Sequence, residues 1–117
     1  MKNFLAIYRG EPSKGNHEWN MLSKEDEQKR IQEGMKAWGD WMTKYSSSIV
    51  FTGGPLGKTL RADKKGINPT TNQDCGYVIV KANSHEEAAK MFKDHPHFAI
   101  FPGECVEIME EMPIPGL

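Results

Sequence analysis

Long apolar segments are missing from this chain of 117 residues. No uninterrupted apolar run approaches the roughly 18 residues that a membrane-spanning helix needs, so we expect no such span. The N-terminus also lacks a basic segment followed by a long apolar segment and a small-residue cleavage site. We therefore expect no signal peptide.

Cysteine is scarce, and positive charge is not in excess. Cys75 and Cys105 are too few for a disulfide framework. We expect both to be free thiols in a reducing cytoplasm. The formal net charge is -1 at pH 7, and no basic face is evident in the sequence. Binding of nucleic acid through its phosphates is therefore not expected.

Two segments, residues 4–8 and 77–80, are apolar throughout and have the length of strands. A strand with one wet face alternates apolar and polar residues. These segments do not alternate, so both of their faces should be buried. Because the two predicted helices can cover only one face of a small sheet, the simplest cover for the other face is a second copy of the chain. The sequence thus predicts a homodimer.

Two helices are predicted from capping signals and periodicity. Ser23 is a predicted N-cap for a helix over residues 24–45, with acidic residues in its first turn. Its apolar positions recur at steps of three and four along one face: Ile31, Met35, Trp38, Met42 and Tyr45. Ser84 and Glu87 form a capping-box pattern before a second helix. Pro96 bars continuation of that helix, and its predicted inward residues are Ala88, Ala89 and Phe92.

Strands and loops complete the predicted order. Residues 9–22 have the composition of a loop. The predicted strands are residues 2–8, 49–52, 76–82 and 106–109, with a small hairpin formed by residues 58–63 and 67–72. The order β-α-β-(β)-β-α-β is that of a ferredoxin-like βαββαβ sandwich, in which helices cover one face of an antiparallel sheet. We expect one α+β domain over residues 1–117.

Residues 76–88 resemble the central signature of YCII-related proteins, a strand that runs into a capped helix. Further matching segments are 4–10, 37–41, 53–56, 95–97, 106–108 and 112–113. The resemblance implies a dimeric α+β barrel, in which two sheets pack face to face. The wider superfamily includes isomerases, monooxygenases, dehalogenating or lyase-like enzymes and non-catalytic members. Some YCII-like proteins carry a His–Asp pair proposed to be catalytic, whereas the first predicted helix of this chain contains no histidine.

The segment Asp-His-Pro-His at 94–97 is the best polar cluster. As a functional site, it would use His95 or His97 as a general acid or base, with Asp94 fixing a tautomer. As a structural feature, it would be a helix C-terminus whose histidine bonds the last carbonyls. A metal would need a third ligand such as Glu104 or His17, and the spacing selects neither. We therefore expect no metal.

Aromatic residues on the long helix are candidates for ligand binding. Trp41 and Tyr45 are the predicted ligand-binding residues, because Trp41 lies beside the inward stripe and could rim a cavity. Aromatic residues at helical spacing are more often core, and Trp38 is the expected core residue. Segment 53–59 lacks the four-residue spacer of a phosphate loop, so nucleotide binding is not expected. We also expect no cofactor.

Two functions of different class fit these observations. The first is a small cofactor-independent enzyme in which a histidine transfers a proton on a small organic molecule. The second is a non-catalytic homodimer that binds a small ligand or serves another protein. A deep cavity faced by a histidine would favour the first, and a cavity without a titratable group would favour the second.

Overall fold

The computed structural model describes residues 1–10 and 17–117. Part of the predicted loop at 9–22, residues 11–16, lies outside the described residues. In chain order the elements are β1 (Lys2–Arg9), α1 (His17–Asn20), α2 (Lys24–Lys44), β2 (Ile49–Pro55), β3 (Thr59–Asp63), β4 (Gly66–Thr70), β5 (Asp74–Ala82), α3 (His85–Lys90), α4 (Pro96–Ala99) and β6 (Cys105–Glu110).

The main sheet has four antiparallel strands in the order β2-β5-β1-β6. The strands β3 and β4 form a separate two-stranded hairpin. The predicted α+β class is therefore confirmed, together with the four main strands and the hairpin. The short helices α1 and α4 were not predicted, because each is only a single turn.

Both predicted helix starts are confirmed by their caps. Ser23 Oγ accepts a hydrogen bond from the backbone N–H of Asp26 at 3.1 Å. Ser84 Oγ accepts from the N–H of Glu87 at 3.1 Å. Each bond satisfies one of the helix's first N–H groups, which have no partner within the helix.

The core lies between the helices and one face of the sheet. Alternate residues of the two central strands are buried on that face: Phe4, Ala6, Tyr8, Val78 and Val80. The helices contribute the buried residues Trp41 and Ala88, and the turn after α3 contributes Phe92. Two details of the predicted helix faces were wrong. Ala89 is exposed, and so are Ile31 and Met35 in the first half of α2.

The other face of the sheet carries a second set of apolar side chains, which we call the open face. Cross-strand pairs place them together, since directly opposed residues point to the same side. They are Leu5, Ile7, Phe51, Tyr77, Ile79 and Met109. These residues are half-buried or exposed within one chain. Burial of both sheet faces therefore stays a prediction that depends on a partner.

None of the helices in the described part of the chain is both long and apolar enough to cross a membrane.

Candidate functional site

A cavity of about 340 Å³ lies between α2 and the sheet. Its volume is within the range of small-molecule sites, roughly 300–1,000 Å³. Helix α2 lines it with Met35, Trp38 and Met42, and the sheet lines it with Tyr8 from β1. His97 completes the polar part of the wall. The cavity is thus mostly apolar, and its titratable lining residues are Tyr8, Tyr77, Cys75 and His97.

The short helix α4 determines where both histidines lie. Asp94 has a φ of 57°, a left-handed conformation that turns the chain after α3. His95 is then the N-cap of α4, and Pro96 occupies the first turn, where a missing N–H costs nothing. The turn directs both imidazoles inward, since His95 is 1% exposed and His97 is 6% exposed.

Hydrogen bonds define the tautomer of each imidazole. His95 Nδ1 accepts from the N–H of His97 at 3.0 Å, so the neutral ring carries its proton on Nε2. That Nε2 lies 3.4 Å from the hydroxyl of Tyr8. His97 Nε2 lies 2.8 Å from the carbonyl oxygen of Arg9, which can only accept, so His97 also carries its proton on Nε2. Its Nδ1 therefore has a lone pair to which no described residue donates.

Burial shifts the ionisation of all three groups. Burial and, to a smaller extent, the neighbouring His97 together lower the pKa of His95 from 6.5 to about 4. Burial also lowers the pKa of His97, although the bond to the Arg9 carbonyl opposes the shift. The pKa of the Tyr8 phenol is raised by burial. Both imidazoles and the phenol are accordingly neutral at pH 7.

Aromatic rings surround His95 and explain its low pKa, because they cannot solvate an imidazolium as water does. The ring centroid of Trp38 lies 4.6 Å from that of His95, and the ring of Trp41 lies 4.8 Å away. Tyr8 and Phe92 lie at 5.1 and 5.8 Å. The imidazole of His95 is thus enclosed, whereas His97 lies at the cavity wall.

A glycine makes room for His97. A Cβ at Gly103 would lie 2.4 Å from His97 Cε1 and from His97 Nε2, so no larger residue fits without a shift. The N–H of Gly103 also donates to the carbonyl of His97 at 2.9 Å. The loop before β6 therefore packs directly on the imidazole.

The site residues that were predicted from the sequence do not all lie together in the structure. His95 and His97 lie together and face inward, whereas Asp94 is exposed and bonds to neither ring among the described residues. Trp41 is buried and donates its indole N–H to the carbonyl of Met91 at 2.7 Å. Tyr45 packs against it with ring centroids 5.3 Å apart. Neither of these two aromatic residues lines the cavity described above.

Sequence reasoning missed Tyr8 and the cavity role of Trp38. A signal for Tyr8 was present, since it lies two and four residues after Ala6 and Phe4 and so shares their face of the strand. Trp38 was expected in the core, yet it both contacts His95 and lines the cavity.

A second cavity of about 540 Å³ adjoins the first at His97 and Cys75, which line both. Cys75 donates its thiol hydrogen to the carbonyl of Gly10. Neither Cys75 nor Cys105 is in a disulfide. Within residues 1–10 and 17–117, no group of three or more histidine, cysteine, aspartate or glutamate residues is arranged to hold a metal ion.

No protein-family model matches the chain, and no curated protein matches it. One solved structure with a similar fold is 5-chloro-2-hydroxyhydroquinone dehydrochlorinase from Burkholderia phenoliruptrix AC1100, in complex with 2,5-dihydroxybenzoquinone. The TM-score is 0.54 at 18% sequence identity, and the match covers 94% of this chain and 93% of the dehydrochlorinase. At that identity the likeness shows a shared fold.

Proposed function

We propose that this chain is a small cofactor-independent enzyme that transfers a proton on a small organic molecule in the cavity between α2 and the sheet. The observation that carries the proposal is the bonding of His97. Its Nε2 proton is held by the Arg9 carbonyl, so Nδ1 remains a base to which no described residue donates, and His97 lies in the wall of an apolar cavity. Its lowered pKa keeps it unprotonated at neutral pH.

Tyr8 supplies the complementary group in the proposed chemistry. His95 donates to the phenol oxygen, so the Tyr8 hydroxyl hydrogen is available to a ligand. His97 Nδ1 would remove a proton from an acidic O–H, or from a C–H beside a carbonyl, and become an imidazolium. Tyr8 would donate a hydrogen bond to the oxygen on which negative charge develops. The proton returns from His97 to another atom of the ligand, so no cofactor is needed.

The proposed ligand is a hydroxylated ring that can form an enol. The cavity volume suits a single ring, and a base of lowered pKa matches a ligand proton that is already fairly acidic. The structural neighbour's complex with 2,5-dihydroxybenzoquinone supports this choice of ring as a probe. The proposed assembly is a cytoplasmic, ferredoxin-like homodimer of the YCII-like dimeric-barrel type, which would cover the open face.

Exchange of ring protons for deuterium tests the proposal with 2,5-dihydroxybenzoquinone as the probe. We expect the protein to accelerate exchange of the C–H protons, and His97→Gln to abolish the acceleration. His85→Gln is the matched control, because His85 is an exposed histidine that bonds the Ile108 carbonyl and lines neither cavity. A wild-type protein that leaves the exchange rate unchanged would contradict the enzyme proposal.

The alternative is a non-catalytic homodimer that binds a small ligand in the same cavity. The enclosed imidazole of His95 favours it, since a group with a pKa of about 4 is a weak base at neutral pH. Binding of the probe without accelerated exchange would select this alternative.

A further inference from the structure

The hairpin formed by β3 and β4 has one wholly apolar face. Its register pairs Leu60 with Pro69 and Ala62 with Ile67. Paired residues point to the same side, and residues two apart along a strand share a side. These four residues therefore form one face, which we call the apolar hairpin face. The opposite face carries Thr59, Arg61, Asp63, Gly66, Asn68 and Thr70.

This apolar face is open to solvent in the single chain. Every residue of the hairpin is exposed except Thr59, which is half-buried. Leu60 and Ile67 are each 70% exposed. An isolated two-stranded hairpin is marginal in water and needs packing against another element. A strict apolar and polar alternation in both strands thus indicates that something covers the apolar face.

The distribution of charged residues indicates which surface covers the apolar hairpin face. The hairpin and its entry carry Lys58, Arg61, Lys64 and Lys65 against a single acidic residue, Asp63. The segment 104–111, which contains β6, carries four glutamates and no basic residue. Glu104, Glu107 and Glu111 are exposed. Met109 of the open face lies among them. Glu107 pairs with Arg9 and Glu110 with Lys2, so Glu104 and Glu111 are the carboxylates of this segment that make no ion pair among the described residues. The basic and apolar arm matches this apolar surface and its two remaining carboxylates.

Topology places the two surfaces apart within one chain. The hairpin connects β2 to β5, whereas β6 is the edge strand on the other side of the sheet, beyond β1. A contact between hairpin and β6 is therefore more readily made between two copies. Two-fold symmetry would form it twice, since each copy offers both surfaces.

We propose that the β3–β4 hairpin is an arm that clasps a second copy of this chain. The apolar hairpin face packs on the open face of the partner beside β6. The lysines of the hairpin turn, Lys64 and Lys65, lie against carboxylates at positions 104–111 of the partner. This arm is independent of the proposed proton transfer.

Paired substitutions on the two hairpin faces test the proposal. The double variant Leu60→Ser with Ile67→Ser removes the two large apolar side chains of the arm, each 70% exposed. The control, Arg61→Ser with Asn68→Ser, changes the polar face of the same strands. We expect the first variant to raise the dimer dissociation constant at least about ten-fold, equivalent to ~1.4 kcal/mol, and the control to change it less. Light scattering over a dilution series gives the constants.

The fold is checked separately, because a variant that unfolds would also fail to dimerise. Hairpin residues are exposed, so both variants should keep the circular dichroism spectrum and melting profile of the wild-type monomer at high dilution. If the apolar-face variant dimerises as tightly as the wild type, the hairpin does not contribute to the dimer contact, and the proposal of the arm is wrong. The proposal of a homodimer is then unaffected. If the wild type is monomeric at every concentration, both are wrong.

Cross-linking then locates the contact. A carbodiimide joins lysine amines to nearby carboxylates without a spacer, and mixing unlabelled with heavy-nitrogen-labelled protein distinguishes links between chains from links within one. We expect mixed-isotope links from Lys64 or Lys65 to segment 104–111. Links from these lysines only to other segments, or only within a chain, would overturn the placement of the arm.

Discussion

His97 and Arg9 are joined by a hydrogen bond from the imidazole Nε2 to the main-chain carbonyl over 2.8 Å. The same carbonyl accepts from the N–H of Glu104 at 3.0 Å. One backbone oxygen at the end of β1 thus holds both the imidazole and the chain that enters β6. The direction in which His97 Nδ1 points is therefore set by the sheet and not by the side chain alone.

Gly103→Ala should displace the imidazole of His97 and disrupt this bond. The added Cβ would lie 2.4 Å from the ring, well inside van der Waals contact. We expect the ring-proton signals of His97 to shift in NMR spectra and probe binding to weaken. Gly57→Ala is the control, since a Cβ there meets no heavy atom within 4 Å. Unchanged His97 signals in the Gly103 variant would contradict the described packing.

Stability should fall as the pH is lowered below about 6.5. The folded state lowers the pKa of His95 from 6.5 to about 4, so the unfolded chain binds more protons between these values and gains stability relative to the folded chain. Each unit of pKa difference corresponds to ~1.4 kcal/mol, so protonation of His95 alone should lower the free energy of unfolding by up to about 3 kcal/mol by pH 4. His97 adds to the loss, because burial lowers its pKa as well.

Chemical denaturation at several pH values measures this slope. His95→Asn is the informative variant, since asparagine can also act as an N-cap but does not titrate. The variant should lose stability at neutral pH and show a shallower decline toward pH 4. An equally steep decline in wild type and variant would show that His95 does not cause it.

Substitution of the two tryptophans beside His95 should affect different properties, the free energy of unfolding in one case and the affinity for the probe in the other. Trp41→Phe removes the buried indole N–H that donates to Met91 and should lower the free energy of unfolding by about 1–3 kcal/mol. It should leave probe affinity nearly unchanged, because Trp41 does not line the cavity. Trp38→Phe should weaken probe binding, because Trp38 does line it. Calorimetry of binding together with denaturant unfolding distinguishes the two effects.

Gly34 and Gly39 form a second matched pair within α2. Gly34 packs on Phe101, and a Cβ at Gly34 would lie 2.4 Å from that ring. Gly34→Ala should therefore destabilise the protein. Gly39 is exposed and a Cβ there meets nothing within 4 Å, so Gly39→Ala should stabilise by roughly 1 kcal/mol through helix propensity. If Gly34→Ala stabilised the protein as Gly39→Ala does, the close packing of Gly34 on Phe101 would be contradicted.

Local signals in the sequence were enough to predict most elements. The caps at Ser23 and Ser84 depend on residues only three apart, and the strands on runs of apolar residues. The candidate site depends on longer-range packing. Trp38 and Trp41 both lie near the inward stripe of α2, and only the way α2 lies on the sheet decides which of them meets the cavity. The role of Gly103 likewise depends on a loop meeting α4, which no local pattern encodes.

The last prediction concerns the open face. Ile79 lies opposite Leu5 on β1 and Phe51 on β2, on the face of the sheet that the helices leave uncovered. Ile79→Asp should abolish the dimer, because an unpaired buried carboxylate costs several kcal/mol. The monomer should still fold, since Ile79 is not part of the core beneath the helices. Light scattering reports the dimer, and circular dichroism reports the fold.

Ala89→Asp is the control for this experiment. Ala89 lies on α3, on the side of the sheet that the helices cover, and it is exposed. The same new side chain at that position should leave the dimer largely intact. If Ile79→Asp remains dimeric with an unchanged melting temperature, the open face is not an interface, and its apolar residues would have to be accommodated in the monomer.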